Sequence, residues 1–100
     1  MKRVPAVIVG VLVALAAGCR VTPPTATTAD ATRANVELAQ LQDGRALMVR
    51  KCGNCHAPPM PKDHTASEWP PKLDEMAQRA NLDGEQRFLI QQYLVVMTQR

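Results

Sequence analysis

Cys52-Gly53-Asn54-Cys55-His56 places three chemically reactive side chains at fixed spacing within five residues. Two thiols separated by two residues can each add across one of the two vinyl groups of a single haem, and the adjacent histidine is then held against the iron as an axial ligand. Other uses of the pair need more than the chain offers. A thioredoxin-like redox pair needs a βαβ setting, and no strand pattern of useful length surrounds it. A zinc site needs two further ligands, and only His64 and Cys19 remain. A plain structural disulfide leaves His56 without a role. The expectation is one covalent haem c, attached through Cys52 and Cys55, with His56 as the proximal iron ligand.

Three helical segments can be drawn around that motif. Residues 35–51 carry Val36, Leu38, Leu41, Ala46, Leu47 and Val49, interrupted at Asp43-Gly44, where Asp43 can cap a fresh start. Residues 68–80 follow Ser67 as a candidate N-cap. Pro70 and Pro71 sit in the first turn, where a missing N–H costs little, and Trp69, Leu73, Met76, Ala77 and Ala80 share one face. Residues 83–98 open with Asp83 and, three places on, Gln86, and continue through Phe88, Leu89, Ile90, Tyr93, Leu94, Val96 and Met97. The expected fold is all-α, about three helices around one haem, with 35–100 as the domain.

The N-terminal third reads differently. Lys2 and Arg3 precede a short apolar run ending in Ala16-Ala17-Gly18-Cys19, the parts of a secretory signal peptide and too short to span a bilayer comfortably. The junction Leu15-Ala16-Ala17-Gly18-Cys19 resembles the lipobox of bacterial lipoproteins, in which the cysteine becomes the lipidated first residue. That resemblance makes 1–18 a leader and Cys19 the anchor. Arg20 stands where Asp usually signals inner-membrane retention, so the outer membrane, facing the periplasm, is favoured. Residues 19–34, rich in Thr, Ala and Pro, read as a flexible tether. Removing 1–18 from the 100 residues leaves 82, and the formal charge of +3 falls to ten basic against nine acidic side chains. A near-neutral chain gives no sign of a nucleic-acid partner. Setting aside the 13 residues from 20 to 32, the Thr-, Ala- and Pro-rich part of that tether, leaves about 69, with one Phe, one Trp and one Tyr in the whole chain. At that size a cofactor is commonly needed to complete a core.

Gly44-Arg45-Ala46-Leu47-Met48, the motif at 52–56 and Tyr93-Leu94 on the last helix together resemble the class I cytochrome c family. The resemblance spans about 43–100. It implies close crossing of the first and last helices, with Gly44 and Tyr93 at the contact, and a methionine as sixth iron ligand. Met76 is the expected ligand: it lies 20 residues past His56, on the face of Trp69 and Leu73, and follows the Trp by seven, as in some short periplasmic cytochromes c. Met60 sits in a Pro-rich loop only four residues past His56, Met48 and Met97 lie on the helices expected to cross, and His64 reads as a bystander. The implied function is one-electron transfer to redox partner proteins by a lipid-anchored, non-enzymatic carrier. The alternative is a haem-based ligand sensor or peroxidase-like enzyme with an exchangeable sixth position.

Overall fold

The computed structural model describes residues 22–53 and 57–100. The expected leader, Cys19, Cys55 and His56 lie outside the described residues. Within them the fold is all-helical, as expected: α1 (Thr28–Ala34), α2 (Leu38–Cys52), a single 3-10 turn (Pro61–Asp63), α3 (Trp69–Arg79) and α4 (Gly84–Thr98). None of these helices is long and apolar enough to cross a membrane.

The ends of the helices follow from local chemistry. Asp83 accepts the Gln86 N–H at 2.8 Å while Gln86 accepts the Asp83 N–H at 3.1 Å, the reciprocal box expected at the start of α4. Asn81, at φ 54°, stops α3, and the Leu82 N–H returns to the Ala77 carbonyl at 2.9 Å. Asn35, also at φ 54°, stops α1 the same way, with Val36 N–H on Ala31 carbonyl at 3.0 Å. A short amide side chain tolerates this left-handed position better than most residues. Ser67, in contrast, does not cap α3. The turn before that helix is closed by the Glu68 carboxylate, which accepts the Thr65 N–H at 2.9 Å.

α2 and α4 form the centre of the packing. Leu41, Gly44, Met48 and Cys52 line one buried stripe of α2, at spacings of three and four, against Ile90, Tyr93, Leu94 and Met97 of α4. Asp43-Gly44 does not divide α2, which runs unbroken. Gly44 is there because the α4 backbone is: a Cβ on it would drive into the Leu89 carbonyl and stand 3.0 Å from the Tyr93 Cβ. In an exposed helix Gly→Ala stabilises by about 0.5–1 kcal/mol. Here the sign reverses. Gly44→Ala is expected to destabilise by about 1–3 kcal/mol through overpacking, read as a lowered urea midpoint. An unchanged or raised midpoint would show that the helices can separate freely.

The tether expected over 19–34 is corrected for its described part. Residues 22–34 are folded onto the domain, with Pro23, Ala26, Asp30 and Ala31 buried. The reason is a set of hydrogen bonds that composition does not reveal. Arg45 Nε donates to the Pro23 carbonyl at 2.9 Å, Tyr93 Oη to the Pro24 carbonyl, and Arg100 to the Thr25 carbonyl at 3.2 Å. Arg33 donates to the Val96 carbonyl at 3.0 Å. Burial pushes the Tyr93 phenol up to about 12, so it stays a neutral donor.

Asp30 is the hub of this arm. Burial alone would raise its carboxyl, but the Thr27 N–H, Arg100, the Thr27 hydroxyl and Arg33 outweigh that and hold it well below the ordinary carboxylate range. A depressed folded-state value means the stabilisation is complete above the unfolded value of about 3.9 and drains away as pH falls below it. Thermal unfolding followed from pH 5 downward is expected to show this loss, and Asp30→Asn to flatten it; an identical slope in the variant would remove Asp30 from the account.

Candidate functional site

Beyond the C-terminal end of α2 a cavity of about 740 Å³ opens between α2, the loop at 57–60, the 3-10 turn and α3. Its walls carry Cys52, Pro58, Pro59, Met60, Trp69, Met76 and Ala80, and its edge carries Lys51, Asp63, Lys72, Glu75 and Arg79. The volume falls within the range of small-molecule and cofactor clefts, about 300–1,000 Å³. An apolar lining with charge at the rim suits a largely hydrophobic occupant.

Each wall is fixed from behind. Cys52 ends the buried stripe of α2 and is 8% exposed, and burial raises the pKa of its thiol. Trp69, fully buried at the start of α3, donates its indole N–H to the Pro61 carbonyl at 2.9 Å and lies 3.1 Å from the Thr98 Oγ1. Thr98 Oγ1 also donates toward the Pro61 carbonyl. These contacts tie the 3-10 turn, and with it Met60, to α3 and α4. His64 packs edge-on against Trp69 with ring centroids 4.8 Å apart. On the far side of α3, Arg87 pairs with Asp74 and donates to the Pro70 carbonyl at 3.3 Å, locking the helix to α4.

The chain matches no protein-family model, curated protein or solved structure. The site therefore stands on its own geometry.

That geometry sorts the methionines. Met48 and Met97 are 0% and 1% exposed in the helix crossing, where they fill space. Met76, the expected ligand, lines the cavity and packs partly against the core. Met60 lines the same cavity, although its closeness to His56 in sequence argued against it, because the 3-10 turn bends the Pro-rich loop back toward α3. His64 lines it as well. The structure thus brings together Cys52, Met76, Met60 and His64 at one cleft. Among the described residues no group of three or more His, Cys, Asp or Glu could hold a metal ion.

Two features escaped the sequence reading. Lys51, Lys72 and Arg79 at the cavity edge belong to no motif and could not have been found without the fold. The arm could have been: Thr27-Thr28-Ala29-Asp30 is a Thr with an acid three places on, the signature of a helix start. Asp30 does accept the Thr27 N–H at 2.8 Å.

Proposed function

We propose that this chain is a one-electron carrier of the c-type cytochrome kind, holding one haem covalently through Cys52 and Cys55, exported and anchored by lipid at Cys19 on the periplasmic side of a bacterial envelope. The observation that carries the reading is the apolar cavity of about 740 Å³ beside the Cys52 thiol, faced by the thioethers of Met60 and Met76 and continuous in sequence with Cys55 and His56. The residues fit the group: two thiols for attachment, an imidazole and a thioether for the iron, and Pro, Trp and Ala walls for the ring. Bound there, the haem iron would supply reversible one-electron exchange between Fe(III) and Fe(II).

The remaining work belongs to the protein. Cys52, as the last residue of α2, fixes one edge of the occupant to the α2–α4 core. Trp69 and the prolines form apolar walls, and a methionine sulfur bound to the iron would favour its reduced state. Lys51, Lys72, Glu75 and Arg79 leave a rim of mixed sign around the opening, through which a partner would approach. Mass spectrometry of protein exported by a host competent in cytochrome maturation tests the reading. The mature polypeptide is expected to carry the added mass of one haem, resistant to acid-acetone extraction; a bare polypeptide from such a host would overturn it.

The sixth ligand separates by substitution. Met76→Ala is expected to lower the reduction potential on the order of 0.1 V, a fraction of the roughly 0.8 V that axial ligands command, and to remove the red-edge absorption band of the ferric form. Met60→Ala is expected to leave both in place. The reverse pattern, measured by redox titration with optical detection, would move the assignment to Met60.

A further inference from the structure

The folded arm has a consequence for how the domain sits in the cell. If the chain is anchored at Cys19, as proposed above and as this inference requires, only Arg20, Val21 and Thr22 separate the lipid from Pro23, which is fully buried. Four residue steps at full extension span at most about 14 Å. A free tether through residue 34 would have reached several times farther.

We propose that the domain is seated on the lipid surface, with the face built from the arm, Arg33, Arg45 and Arg100 turned toward the phosphate-bearing headgroups. Charge argues for that face as well as distance. The arm is pinned by three guanidinium groups, of which Arg33 and Arg100 keep about two-fifths of their side-chain surface exposed, at 39% and 41%. The acid they share, Asp30, is 2% exposed and shielded beneath them. Arg20 adds a further positive charge within the leash itself. Phosphate oxygens are the natural partners of such a cluster, since guanidinium groups bind them in a forked, charge-assisted geometry.

The cavity lies apart from this face. Arg45 and Cys52 are seven residues apart on α2, about 10 Å along the helix axis. The carrier would therefore be held at the middle of α2 and open at the C-terminal end of that helix. Its reach covers partners in or on the same leaflet and does not extend across the periplasm.

The test uses the lipidated, haem-loaded full chain reconstituted in phosphatidylethanolamine–phosphatidylglycerol vesicles containing a nickel-chelating lipid. Ala29→Cys on the arm and Gln78→Cys on α3 are both exposed positions and carry the same spin label. Relaxation of the label by headgroup nickel is expected to be several-fold stronger at position 29 than at 78. Inserting a long Gly-Ser spacer between Arg20 and Val21 is expected to reduce that ratio toward one. Equal relaxation at the two positions in protein that floats with the vesicles overturns the seating and leaves the anchor standing. Protein that does not float overturns the anchor, and the seating with it.

Discussion

Replacing Cys52 and Cys55 together by Ala, and so removing the proposed haem attachment, is expected to abolish cooperative folding of the domain. The argument is one of area. The buried side chains that hold the helices are few: Trp69 and Tyr93 are the buried aromatics among the described residues, Phe88 being 55% exposed, and the rest is Leu41, Met48, Leu73, Ile90, Leu94 and Met97 with smaller neighbours. A core in a domain of this size supplies no more than about 3–5 kcal/mol. Against that stands a cleft of about 740 Å³ with apolar walls, which an apoprotein must either wet or collapse. Wetting leaves Met60, Met76 and the prolines against water at about 25 cal/mol per Å² of apolar surface, and collapse pulls α3 from its seat on α4. Either loss is comparable with the whole stability. Far-UV circular dichroism with urea titration is expected to show a weakly helical chain without a sigmoidal transition. A double variant that remains helical and unfolds cooperatively would mean the helices are self-sufficient, and the cleft an accessory of the fold.

How far the sequence disclosed this arrangement depended on whether the cause was local. The α4 start was readable because Asp83 and Gln86 satisfy one another within a single turn. The buried face of α3 was readable from the spacing of Trp69, Leu73 and Met76. α2 was read less well, since Ala46 and Val49 counted as apolar positions while Gly44, Met48 and Cys52 form the actual contact. A glycine selected for closeness has no hydrophobic signature; only the neighbouring Leu89 backbone shows what it is for. The arm was missed for a related reason. Its ordering comes from Arg45, Tyr93 and Arg100, between 22 and 75 positions away in sequence, which reach carbonyls that any residue would present. Composition predicts the cost of ordering such a stretch and is silent on donors brought from elsewhere. The cavity wall was half legible: Cys52 and Met76 stood out by type and spacing, whereas Met60 arrives through a bend at Pro61.

Trp69→Ala is the second substitution expected to have a large effect, and it distinguishes a wall of the cleft from a mere core position. Removing a fully buried Trp costs about 3–5 kcal/mol, most of what a domain this small can lose. Two consequences should appear together. Stability falls, because the ring fills the space between α3, α4 and the 3-10 turn. The cleft also loosens, because the indole N–H that held the Pro61 carbonyl at 2.9 Å is gone and the turn carrying Met60 loses one of its ties. Trp69→Phe separates the two. It keeps most of the apolar volume and removes only the donor, and Thr98 Oγ1 still reaches the Pro61 carbonyl. The expected cost is then about 1–2 kcal/mol, near that of a single buried hydrogen bond with some lost contact. Urea midpoints give the stabilities, and hydrogen exchange at the Met60 and Asp63 amides gives the loosening. Equal midpoints for the two variants would mean that the hydrogen bond, rather than the ring, holds the turn; slow exchange in both would mean that the turn stands without Trp69.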